Sequence, residues 1–153
     1  MTMDDTCAIC AKFRGEGPLA GPWIWQDALV RVSHVQPEPD ATLALGHLII
    51  DTRRHAAYLD GLSDQEAAAV GRAARDAARA LRAELDAEFV HAAVVNASWE
   101  HFHQHVYVRH RGTPADYQWH RADEWPGAPH GDRTSIAELC GRLAKHFPRI
   151  RGD

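Results

Sequence analysis

The chain has 153 residues, long enough for one hydrophobic core, and its 45% hydrophobic and 25% charged residues are the ordinary balance of a globular domain. A formal net charge of -4 supplies no basic field for gripping long nucleic acid, and no apolar run approaches the length that spans a bilayer. Eleven histidines are many for this length and direct attention to metal or phosphate chemistry. The start, Met1-Thr2-Met3-Asp4-Asp5, is acidic and lacks the apolar stretch of a secretory leader, so a cytoplasmic location is expected. The odd set Cys7, Cys10 and Cys140 argues against a disulfide framework there.

In chain order, the Gly/Pro-rich residues 14–22 read as a loop. Trp23–Gln26 and Leu29–Val32 read as two short strands around an Asp27-Ala28 turn, residues 36–42 as a second loop, and Gly46–Asp51 as a third strand. Ser63 and Glu66 form a capping box that opens a long helix reaching about Asp86. Val70, Ala74, Ala77, Leu81 and Leu85 give that helix its apolar stripe, and Arg72, Arg75, Arg79 and Arg82 its solvated face. Phe89–Val95 and His101–Val108 read as strands four and five. Residues 111–133 show no period and read as a long loop carrying Trp119 and Trp125. A second capping box, Ser135 with Glu138, opens a short helix through Ile136, Leu139, Cys140, Leu143 and Phe147. Strands, long helix, two strands, loop, helix is an α+β order, expected to build an antiparallel sheet within a single domain over 1–153.

The chemistry concentrates in His101-Phe102-His103-Gln104-His105. In a strand, side chains two apart share a face, so the three imidazoles are expected on one side. Phe102 is expected to point toward a core, although the strand does not read as simply amphipathic. Besides an incidental polar strand, two readings fit. Imidazoles so spaced can share one metal, making a triad-metal hydrolase. Alternatively, a neutral imidazole can attack phosphorus while its neighbours donate to phosphate oxygens.

The segment from Gly46-His47 through His55, the long helix, and then His101-Phe102-His103-Gln104-His105-Val106 resemble the histidine-triad superfamily, over roughly residues 7–109. The resemblance implies a five-stranded antiparallel sheet with one long and one short helix, in a homodimer. It implies that His103 attacks the α-phosphorus of a nucleotide conjugate, forming a nucleotidyl-histidine that water or another acceptor resolves. His105 would donate to a phosphate oxygen or the leaving group, and His101 would stand behind the nucleophile. A small-molecule nucleotide is then the expected partner. A zinc-stabilised nucleotide-binding module without catalysis is the alternative.

Cys7-Ala8-Ile9-Cys10 alone reads as a redox motif, a zinc half-site or two thiols. Some bacterial members of the resembled family complete a zinc site with the histidine after the Gly-His strand and the first triad histidine. Carried over, the set is Cys7, Cys10, His55 and His101. Asn96 and Ser98, just before the triad, and Arg109, just after it, are candidate phosphate contacts; Arg109 and Arg111 read equally as a solvated strand end. Glu100 would raise a nearby histidine's pKa or repel a phosphate. His47 reads as core or as active site. His34, His91, His110, His120, His130 and His146 read as surface or loop residues, and Arg151-Gly152-Asp153 as an accidental tripeptide. Three departures from the family pattern stand out. His34 occupies the place of the family's ribose-holding Asp. The strand ends Ile50-Asp51-Thr52 instead of Ile-Pro-Lys. The segment before the triad lacks the Gly-rich turn.

Overall fold

The computed structural model describes residues 5–149, so the acidic start before Asp5 and the terminal Arg151-Gly152-Asp153 lie outside the described residues. In order, the elements are α1 (Ala8–Phe13), β1 (Trp23–Gln26), β2 (Val30–His34), β3 (Leu43–Ala44), β4 (His47–Thr52), α2 (Asp64–Glu84), β5 (Ala87–Ala93), β6 (His103–His110), β7 (His130–Gly131) and α3 (Arg133–Ala144). Short 3-10 turns occupy Leu59–Gly61 and Trp119–Glu124. Five strands form one sheet in the order β1-β2-β4-β6-β5, every neighbouring pair antiparallel. This is the expected α+β architecture, with α2 as the long helix and α3 as the shorter one. Among the described residues no helix is long and apolar enough to cross a membrane.

One face of the sheet carries the core. Val30 and Val32, Leu48 and Ile50, and Val106 and Val108 alternate along β2, β4 and β6 and pack beneath α2 and α3. Each is 0–3% exposed, and burying a side chain of this size contributes about 1.5–3 kcal/mol. Phe102 joins the same core at 0% exposure. Phe102, Val106 and Val108 therefore do share one face, correcting the reading that the strand is not simply amphipathic. The opposite face of β4 and β6 carries His47, Ile49 and Asp51 against Tyr107, His105 and His103 in direct register.

The capping box at Ser63 is complete: its Oγ accepts from Glu66 N at 3.1 Å, and Glu66 Oε2 accepts from Ser63 N at 2.9 Å. The same carboxylate receives the Arg54 guanidinium, with both contacts at 2.8 Å. That clamp positions the chain just after β4, where His55 lies. Arg72, Arg75, Arg79 and Arg82 are exposed as expected.

Several local expectations change. The cap of α3 is Asp132, whose carboxylate accepts from Ser135 N at 2.9 Å, so the helix begins before Ser135. β6 begins at His103, because Phe102 N–H leaves the ladder and donates to Ala56 O at 2.6 Å. Part of the 111–133 loop is ordered as the 3-10 turn and as β7, which pairs with β3. The loop is held by Arg109, whose guanidinium donates to the carbonyls of Thr113, Pro114 and Tyr117.

Gly46 explains the Gly-His spelling. Its φ is +95°, and a Cβ there would sit 2.8 Å from Leu85 Cδ1 and 3.0 Å from Val108 Cγ2. Only glycine meets both demands.

Candidate functional site

The triad does not act as a row of three. Nδ1 of His103 lies 2.8 Å from the carbonyl of His101. A carbonyl only accepts, so Nδ1 carries a hydrogen, and in the neutral ring the lone pair is on Nε2. His103 is only 7% exposed. It borders a cleft of about 200 Å³, together with His105, Ile9, Lys12, Asp51 and Trp99. The His103 and His105 rings stand edge to face with centroids 5.4 Å apart.

His101 faces elsewhere. It is fully buried, and its Nε2–H donates to Thr52 O at 2.6 Å. Its Nδ1 lies 3.4 Å from Cys7 Sγ and 3.5 Å from Cys10 Sγ, and Cys10 Sγ is 3.5 Å from His55 Nδ1. All four donor atoms fall within 4.8 Å of one another. A tetrahedral zinc with bonds of about 2.3 Å to sulfur and about 2.0–2.1 Å to nitrogen holds such pairs about 3.5 Å apart. The donor set and spacing therefore fit zinc. Burial pushes the His101 pKa down, toward the neutral form that coordinates, and the Thr52 carbonyl fixes which nitrogen does so. Among the described residues this is the one cluster with metal-ligand spacing. The three triad imidazoles form no common cage, which removes the geometry required for a triad-metal hydrolase.

The Cys/His cluster also builds the cleft. Cys7 caps α1, accepting from Cys10 N at 3.4 Å. The same helix carries Ile9 and Lys12 into the cleft wall. Lys12 Nζ reaches Asp51 Oδ2 at 2.6 Å, and Asp51 is completely buried directly across the ladder from His103.

On the far side of His105 lies a second cleft of about 180 Å³, bordered by His47, Val95, Tyr107, Trp119, His120 and Asp123. His47 Nε2 is 2.9 Å from His105 Nδ1, and His47 Nδ1 is 3.4 Å from Asp123 Oδ2. His105 is pushed down to about 4, mainly by burial and then by the neighbouring His47 and His103. Asp123 is held below the usual carboxylate range by its hydrogen bond with His47.

The other candidate contacts are placed differently from expectation. Asn96 sits at φ +53° and is spent on backbone, its amide nitrogen donating to Ala57 O and its oxygen accepting from His103 N at 3.4 Å. It shapes the approach to His103, with one amide N–H and the amide oxygen committed to backbone. Ser98 is exposed and borders a small pocket beside Cys7 and His55, away from His103. Arg109 is consumed by the loop carbonyls, and Arg111 pairs with Asp86. Glu100 faces solvent and accepts from the Tyr58 hydroxyl at 3.1 Å. His34 and His110 are buried, not surface residues. His34 Nδ1–H donates to Val35 O at 2.7 Å, and its Nε2 accepts from Gly46 N at 2.9 Å, so both nitrogens serve the backbone. The residues missed from sequence are Lys12, Asp51 and Asp123. Only Asp51 carried a signal, a charge inside an apolar strand.

The sequence matches no family model and no curated protein. The structure is similar to many solved ones, among them three that differ widely in source. One is a Hit-like protein involved in cell-cycle regulation from Bartonella henselae, 14% identical, with a TM-score of 0.68 over 96% of this chain and 100% of that one. Another is a zinc-bound histidine triad family protein from Mycobacterium smegmatis, 21% identical, with a TM-score of 0.65 over 92% and 94%. The third is a hypothetical histidine triad nucleotide-binding protein from Sulfolobus tokodaii, 12% identical, with a TM-score of 0.60 over 84% of each chain. At these identities the likeness establishes a histidine-triad-like fold.

Proposed function

We propose that this protein is a nucleotide hydrolase or nucleotidyl transferase that attacks the α-phosphorus of a nucleotide conjugate, a phosphoramidate or a dinucleoside polyphosphate, through His103. The observation that carries the reading is the hydrogen bond from His103 Nδ1–H to the His101 carbonyl. In the neutral ring it makes Nε2 the nucleophile at the wall of a cleft, with His105 beside it. Attack forms a P–Nε2 bond and expels the leaving group; water or another acceptor then displaces the histidine, splitting one hard displacement into two. Cys7, Cys10, His55 and His101 would hold a structural zinc, which stiffens the chain presenting His103. The solved zinc-bound relative supports that reading. Neither Asn96, Ser98 nor Arg109 is retained as a phosphate contact. The protein works as a homodimer in the cytoplasm on a small nucleotide.

The test is a panel of adenosine and guanosine phosphoramidates and dinucleotides with wild type and His103→Ala, and intact-mass detection of the covalent adduct. The expected result is turnover and a nucleotidylated protein with wild type only. Full activity in His103→Ala would falsify the mechanism. Tight nucleotide binding with no turnover on any substrate would favour the non-catalytic zinc-stabilised module.

A further inference from the structure

We propose that Asp123 is a positioning residue that, through His47, fixes the tautomer of His105 so that its Nε2 lone pair faces the reacting phosphate. The inference rests on the reading above that His103 forms a nucleotidyl-histidine, and it gives His105 the part of base when that adduct is resolved, in place of the donor part that the resemblance implied. It starts from a residue in the 111–133 segment, for which the sequence offered no role. The 3-10 turn Trp119–Glu124 folds over the histidine face of the sheet, anchored by Ala122, which is completely buried. It brings the Asp123 carboxylate to 3.4 Å from His47 Nδ1, and His47 Nε2 lies 2.9 Å from His105 Nδ1.

The proton positions follow from the end of the chain. An ionised carboxylate can only accept. Facing it at 3.4 Å, His47 Nδ1 carries a hydrogen, and in the neutral ring that leaves the lone pair on Nε2. That lone pair can be met only by a hydrogen on His105 Nδ1, and neutral His105 is left with its lone pair on Nε2. His103 reaches the same state independently, from the His101 carbonyl. Without Asp123 the His47–His105 hydrogen bond works equally well in reverse, and the reversed tautomer puts a hydrogen where the lone pair is needed. The other charged groups around His105 are Asp51, His103 and His47. Asp51 is engaged by Lys12 on the opposite flank and does not reach His47.

The correct tautomer matters most when the nucleotidyl-histidine is resolved. As water oxygen bonds to phosphorus, the P–Nε2 bond to His103 breaks and its electron pair returns to that ring. The water proton passes to His105 Nε2, producing an imidazolium that keeps its Nδ1–H on His47 and faces the Asp123 carboxylate beyond. That proton then leaves to solvent with the nucleoside monophosphate released. The arrangement is the acid–base–orienter logic of nucleophilic catalysis, with a second imidazole interposed.

The test uses the full chain labelled with ¹⁵N-histidine, zinc held constant, as wild type, Asp123→Ala and Asp123→Glu. In wild type near pH 7.5, roughly a unit above an ordinary histidine pKa, His47 and His105 are both expected as Nδ1–H tautomers. Asp123→Ala is expected to shift both toward Nε2–H, and Asp123→Glu to restore the wild-type pattern. With a nucleoside phosphoramidate, Asp123→Ala should lower kcat by about 10- to 100-fold, leave KM nearly unchanged, and accumulate the covalent adduct. Wild-type His105 found as the Nε2–H tautomer, or a spectrum unmoved by Asp123→Ala, overturns the proposal. The spectra report on the relay even if no substrate turns over. Conversely, a normal kcat in Asp123→Ala beside a dead His103→Ala overturns the relay and leaves the nucleophile standing.

Discussion

Lys12→Met is the sharpest test of how the cleft is held together. In the folded protein Lys12 Nζ sits 2.6 Å from Asp51 Oδ2, with the two side chains 11% and 0% exposed. The other carboxylate oxygen, Oδ1, is buried with no hydrogen-bond partner, so the lysine is the carboxylate's direct ion-pair partner, with Arg31 across the ladder a more distant charge. Removing one member of a buried pair leaves the other desolvated and alone, at a cost of about 3–5 kcal/mol. For a chain of this size that is a fall in Tm of roughly 6–20 °C. Removing both charges is much milder, because neither ion is then stranded. The experiment is a double-mutant cycle of Lys12→Met and Asp51→Asn, followed by urea and thermal unfolding with zinc held constant. The expected coupling is at least about 2 kcal/mol, with the double variant more stable than Lys12→Met alone. A loss below about 1 kcal/mol in Lys12→Met would mean that water screens the pair, and that it does not hold α1 against the sheet.

Three other outcomes follow from the same geometry. His34 is pushed down to about 4, chiefly by burial. Between its ordinary value of 6.5 and that point the unfolded chain binds more protons, so stability should fall as pH drops through this window. His34→Gln should flatten that slope in urea titrations at several pH values, and an unchanged slope would assign it to other groups. Cys10→Ser should lower zinc content by elemental analysis and Tm together, and expose residues 8–13 to hydrogen exchange; full zinc occupancy in that variant would exclude the Cys/His cluster as the site. Arg109→Ala should speed proteolysis within residues 113–117 while leaving kcat/KM within about twofold; a large rise in KM alone would instead restore Arg109 as a phosphate contact.

The parts of the fold legible in sequence were those written in long periods. The α2 box at Ser63 and Glu66 and the stripe through Val70, Ala77 and Leu81 repeat over many turns, so local rules and tertiary packing agree. Short elements gave no such redundancy. α1 is six residues long and is capped by a cysteine, and β3 and β7 contribute two residues each. At that length, partners distant in sequence decide the structure. The misplaced start of α3 has a related cause. Ser135 and Glu138 spell a capping box, but Asp132 already supplies an acceptor to Ser135 N, and the helix takes the earlier cap.

The site was legible as chemistry but not as wiring. A spacing of two placed His103 and His105 on one face correctly, because both lie within the ladder. It failed for His101, because the chain leaves the ladder one residue before His103 and turns that imidazole toward the cysteines. The arginine and amide contacts failed for another reason. Polar side chains near a strand end first satisfy the backbone groups that loops leave open, and Asn96 and Arg109 do so with nearly every polar atom they have. The charges that do reach the histidine face come from far away in sequence: Lys12 from α1, and Asp123 from a stretch with no period. Each is placed by an anchor outside its own segment's pattern: for Lys12 the Cys/His cluster, whose members the sequence does suggest, and for Asp123 the buried Ala122, which it does not announce. The two flanks therefore depend on separable supports. Damage to the cysteine pair should disturb the His103 side of the site and leave the Asp123–His47–His105 hydrogen bonds in place.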